Sequence, residues 1–96
     1  MNTEALLSQD TCVINELGMH ARPAARIAEM AGAAKGEVWL SDETAKVDAS
    51  SIIDILTLCA VKGSNIRIQI EHPEDKQILE DIKLFFEEGF GELSDE

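Results

Sequence analysis

The sequence predicts a two-layer α+β sandwich, a sheet covered on one face by three helices. Three observations predict it. The elements follow in the order strand, helix, strand, strand, helix, strand, helix. In the clearest strand, Ile66, Ile68 and Ile70 alternate with Arg67, Gln69 and Glu71, so one face is apolar and the other polar. The helical segments carry apolar stripes at i, i+3, i+4 and i+7, which must lie on the covered face. The 96 residues make one domain with a single modest core.

Each element has its own reason. Residues 1–8 show no strong pattern and read as a flexible extension. Thr11 to Ile14 is a β-branched apolar run, read as the first strand. Asn15 to His20 is a loop containing Gly18. Ala21 to about Ala34 reads as a helix, with Ala24, Ile27, Ala28 and Ala31 on its buried face and Gly32 and Gly36 marking its end. Glu37 to Ser41 and Thr44 to Val47 read as a hairpin turned by Asp42 and Glu43. Asp48, Ser50 and Ser51 are N-cap candidates for a helix whose face is Ile52, Ile55, Leu56 and Cys59, ended by Gly63. Ile53 falls off that face. Pro73 with Glu74 and Asp75 starts a last helix, with proline in the first turn and acids at the positive end. Its stripe is Ile78, Leu79, Ile82, Phe85 and Phe86, and Gly89 is the C-cap. The acidic tail, Glu92 to Glu96, reads as mobile, with 93–96 outside the domain core.

Composition excludes several function classes. A formal net charge of −11 argues against a nucleic-acid binder and against anionic membrane surfaces. No apolar run approaches the roughly 20 residues that span a bilayer, and no signal peptide is visible. Cys12 and Cys59 sit in apolar segments and read as buried free thiols in a reducing cytosol. No cysteine spacing suggests a metal, and no metal or cofactor is expected.

The segment Gly18-Met19-His20-Ala21-Arg22-Pro23-Ala24-Ala25 carries the chemistry. Proline in a first helical turn places His20 at, or just before, the helix start. Free N–H groups and the positive end of the macrodipole make that end an anion site. His20 is the candidate nucleophile, held neutral by the helix end so that a ring lone pair is free to attack phosphorus. Arg22 can neutralise charge on the phosphoryl oxygens. Arg22 and Arg26 lie four apart and repel, which a bound phosphate would relieve. The competing reading is that Arg26 pairs with Glu29 and His20 only caps the helix.

This segment resembles the active-site motif of HPr, the histidine-containing phosphocarrier family of the sugar phosphotransferase system. The resemblance runs from about Thr11 to Glu92. It includes Val47-Asp48-Ala49-Ser50-Ser51-Ile52-Ile53, Lys62-Gly63, and Gly89-Phe90-Gly91-Glu92. It implies an open-faced β-sandwich, β-α-β-β-α-β-α, with a four-stranded antiparallel sheet. It implies that His20 accepts a phosphoryl group on Nδ1 from phospho-enzyme I and passes it to an enzyme IIA-type domain. Arg22 would neutralise the phosphate, with the helix N-terminus at Ala21 and Arg22 binding it. Ser51 matches the serine modified by HPr kinase/phosphorylase, and Ser50 is an adjacent alternative. Partners would dock on Met19, Ala25, Arg26, Ile52, Ile53 and Leu56. A cytoplasmic monomer is expected, a phosphoryl carrier rather than an independent enzyme.

The chain departs from the family where it reads Glu29, Gly32 and Asp54, at positions often basic or, for Asp54, glycine or lysine. Part of the basic docking rim is therefore lost, and Asp54 would repel a phosphate on Ser51. The competing function is a regulatory binding module of the same fold, in the nitrogen-related branch or dependent on Ser51 phosphorylation. A free-standing phosphatase or transferase is disfavoured, since no second acid/base group accompanies His20. His72, before Pro73, reads as a solvated N-cap. Trp39 reads as a residue of the sheet's other face. Glu71, Glu74 and Asp75 lack the loop spacing of a calcium site, and a helix start accounts for them.

Overall fold

The computed structural model describes residues 7–93. Strands β1 (Ser8–Cys12), β2 (Val38–Ser41), β3 (Lys46–Asp48) and β4 (Asn65–Ile70) form one antiparallel sheet in the order β1-β4-β2-β3. Helices α1 (Ala21–Gly32), α2 (Ile52–Thr57) and α3 (Lys76–Glu87) complete the predicted order. Short 3-10 turns at Pro73–Asp75 and Gly89–Gly91 flank α3.

The alternation in β4 works as predicted. Ile66, Ile68 and Ile70 are buried beside Val38 and Leu40, and they share the core with Ile27, Ile55, Leu79, Ile82, Phe86 and Phe90. The opposite face of the sheet is polar. There Arg67 pairs with Asp10 at 2.8 Å, Trp39 donates to Glu71 at 2.9 Å, and Lys46 lies over the indole ring.

The hairpin has no Asn-Gly turn because Asp42 does the turning. Its Oδ1 accepts hydrogen bonds from the backbone of Thr44 and Ala45 and from the Thr44 hydroxyl. These bonds, the Thr44 amide first, hold the Asp42 carboxyl below its ordinary pKa.

Three expectations need correction. The first strand starts at Ser8 and ends at Cys12, because its register sets Ser8 opposite Gln69 and Cys12 opposite Asn65. Ser8 is therefore part of the sheet, while residues 1–6 and 94–96 of the expected flexible ends lie outside the described residues. Helix α2 stops at Thr57, well before Gly63. Only Ile55 of its expected face is fully buried; Ile52 is exposed and Leu56 half-buried. Cys59 follows a left-handed backbone, φ +52°, that turns it to solvent, and Cys12 is half-buried, so the two free thiols are not core residues.

Candidate functional site

Helix α1 opens where the sequence places it. His20 is the N-cap, with extended backbone at φ −138° and ψ −173°. Its carbonyl accepts the first helical bond, from the Ala24 amide at 3.0 Å. Pro23 has no N–H, so the first turn presents the amides of Ala21 and Arg22. No acidic residue occupies that first turn, and the His20 ring does not cap it.

The loop before His20 is fixed against the α2–β4 connection. The Met19 amide donates to the Ala60 carbonyl at 3.0 Å. Gly18 has φ +70°, and a Cβ there would lie 2.7 Å from the same carbonyl oxygen. Only glycine allows this approach.

A carboxylate from the far end of the chain completes the site. Glu92 Oε2 lies 2.7 Å from His20 Nε2 and also pairs with the Arg22 guanidinium. Asn15 Nδ2 donates to Glu92 Oε1 at 2.6 Å and to the Gly18 carbonyl at 3.0 Å. Arg22 also reaches the Phe90 carbonyl at 3.4 Å.

Glu92 arrives there through an unusual turn. Gly89, Phe90 and Gly91 are all left-handed, with φ of +62°, +59° and +76°. For Phe90 that conformation costs on the order of 1–2 kcal/mol. Burial of its ring against Phe86 and Phe85, at centroid distances of 5.0 and 5.2 Å, offsets the cost.

The electrostatics assign the ring's tautomer. Burial pushes the Glu92 carboxyl up, but hydrogen bonds from His20, Asn15 and Arg22 outweigh it and hold the group below its ordinary pKa. An ionised carboxylate only accepts, so His20 Nε2 carries the proton facing it. In the neutral ring the lone pair is then on Nδ1. Among the described residues no hydrogen bond engages Nδ1. The side chain is 35% exposed, so an incoming group can reach it. A ring nitrogen without a partner thus lies at the opening of α1, beside the Ala21 and Arg22 amides and a guanidinium held by Glu92.

The other expected residues fall as follows. Ser51 caps α2, its Oγ accepting from the Asp54 amide at 3.2 Å. Ser50 is exposed, and its hydroxyl donates to Asp48 at 2.7 Å. Ile53 is 75% exposed, with Ile52 and Leu56 beside it on α2. Ala25 and Arg26 are exposed on α1, and Arg26 pairs with Glu29 at 2.9 Å as the competing reading foresaw. Met19 is a correction to the expected docking set: its side chain belongs to the buried core, because the Ala60 bond draws the loop inward. Sequence reasoning missed Asn15 and the role of Glu92. It also missed exposed Leu17 and Val61, which adjoin the Gly18 loop.

His72 caps the Pro73–Asp75 turn as expected, its Nδ1 accepting from the Glu74 amide at 3.1 Å. Asp75 is buried and accepts from the Lys35 and Gly36 amides at 2.8 and 2.9 Å, so it ties the α1–β2 connection to α3. Among the described residues no helix is long and apolar enough to cross a membrane.

Comparison with known proteins gives a consistent result. Residues 7–88 match the family model for the PTS HPr component phosphorylation site. The phosphocarrier protein HPr of Cupriavidus necator is 32% identical over 87 residues, covering 91% of this chain and 98% of that protein. The phosphocarrier protein NPr of Escherichia coli is 34% identical, covering 90% and 97%. Among solved structures, an HPr from Thermoanaerobacter tengcongensis superposes with a TM-score of 0.81 at 27% identity, covering 88% of this chain and 96% of that one.

Proposed function

The chain belongs to the HPr family of phosphocarrier proteins of the phosphotransferase system, and from that premise we propose that His20 is its phosphoryl-accepting residue. The observation that carries the proposal is the His20–Glu92 contact, which leaves Nδ1 as the free nucleophile. Phospho-enzyme I is the donor. The Nδ1 lone pair attacks phosphorus, the donor's bond to phosphorus breaks, and its electron pair leaves with the donor. The amides of Ala21 and Arg22 and the Arg22 guanidinium bind the equatorial oxygens. The group then passes to an enzyme IIA-type domain by the same in-line displacement.

Docking uses Ile52, Ile53 and Leu56 on α2 with Ala25 and Arg26 on α1. Pairing of Arg26 with Glu29, and Asp54 beside Ser51, make this surface less basic, so partners of matching basic character suit it. Ser51 is the candidate site for a regulatory kinase. A phosphate there would keep a helix N-terminus but meet the Asp54 charge. That acidic surface also favours a second reading, a regulatory binding module of the nitrogen-related branch rather than a sugar-transport carrier.

Incubation with cognate enzyme I and phosphoenolpyruvate, read by intact mass, tests the first reading. One acid-labile phosphate, absent from His20→Ala, is the expected result. No gain with the cognate enzyme sinks the carrier role and leaves the binding module.

A further inference from the structure

We infer that Asn15 is a positioning residue for His20, acting through Glu92. This rests on the phosphocarrier reading of His20 and deepens it. Asn15 is 1% exposed. A buried amide is costly unless its groups are paired, yet its Oδ1 has no hydrogen-bond partner. Both of its donor contacts are spent on the site. One goes to the Gly18 carbonyl, in the loop that delivers His20. The other goes to Glu92 Oε1, the oxygen that His20 and Arg22 leave open.

Asn15 therefore links the loop and the carboxylate in one side chain. Glu92 has no helix or strand of its own to hold it; it follows the Gly89–Gly91 turn near the end of the described chain. With Oε1 held by Asn15, Oε2 is aimed at Nε2. The ring proton stays on Nε2 throughout the carrier cycle, and the Nδ1 lone pair is free whenever the ring is unphosphorylated. The family match ends at residue 88, short of Glu92.

The ring nitrogens of uniformly 15N-labelled protein report this directly, through their shifts in the free, unphosphorylated state. Wild type is expected to show His20 as a single Nε2–H tautomer. Asn15→Asp keeps the shape but sets a carboxylate against Glu92, which repels it from the site. The expected result is mixed tautomers at His20 and phosphoryl acceptance about tenfold slower, the scale of one hydrogen bond to a charged group. His72, on the far turn, keeps its shifts. Asn15→Ala, which adds no charge, is the second variant should the first not fold, and it must also mix the tautomers. A folded variant of either kind with an unchanged His20 signature overturns the inference. The tautomer reading needs no enzyme I, so failure of the carrier role and failure of this inference are told apart.

Discussion

The chain's two histidines both precede a helical start carrying a proline, and both are N-caps. They differ in what becomes of the Nδ1 lone pair. His72 gives Nδ1 to its own turn, through the Glu74 amide. Around it the other groups are also paired: Asp75 holds the Lys35 and Gly36 amides, and Glu71 accepts from Trp39. His20 leaves its own helix amides open and turns Nε2 to Glu92, which frees Nδ1. A helix N-terminus therefore does not make a histidine nucleophilic by itself. What matters is which neighbour takes which ring nitrogen.

The comparison breaks most sharply on removal of the ring. His20→Ala is expected to abolish phosphoryl uptake, while His72→Ala leaves it unchanged; intact mass after reaction with enzyme I reads both. Uptake at equal rates in the two variants would erase the distinction. Arg22→Ala comes next. It removes the guanidinium proposed to neutralise the phosphoryl oxygens, and the rate of acceptance should fall by about 100-fold. Rapid-quench kinetics measure it, with circular dichroism expected to show an intact fold.

The self-satisfied region shows its role in stability instead. Asp75→Asn leaves one of two buried amides facing a donor, at a cost of about 1–3 kcal/mol, while phosphoryl acceptance holds. The pH dependence follows from the same group. Burial pushes its carboxyl up, but the Lys35 and Gly36 amides outweigh that and lower its pKa below the ordinary 3.8. As pH falls, the unfolded chain takes the proton first. The stabilisation is thus complete above about pH 4 and is lost as pH falls through the lower folded value. Acid unfolding of wild type against Asp75→Asn should show curves that converge below that window. The smallest effect is at α2, where Ser51→Ala removes a cap of about 1 kcal/mol. Thermal melting should fall by about 4–8 °C.

Much of this was legible in the residues. The Ile66, Ile68, Ile70 alternation fixed a one-sided sheet, and Pro23 fixed the start of α1. Helix α2 was overextended because its apolar spacing continues to Cys59. Periodicity does not reveal that Ile52 and Ile53 face solvent, or that the backbone turns left-handed at Cys59. The β-branched run after Thr11 drew the first strand too late, since Val13 leaves the ladder to bond Ser64 and Gly63. Asn15 and Glu92 were out of reach for a different reason. They meet across 77 positions of chain, through a left-handed turn that includes a phenylalanine. No local pattern encodes such a contact. The one signal was Gly89-Phe90-Gly91, whose glycines flag a tight reversal ahead of Glu92.

The most direct test of the central claim is 15N and 31P NMR of the phosphorylated, 15N-labelled protein, locating the nitrogen bonded to phosphorus. The structure predicts phosphorus on His20 Nδ1, with Nε2 still protonated against Glu92. Phosphorus on Nε2, or on His72, would contradict it.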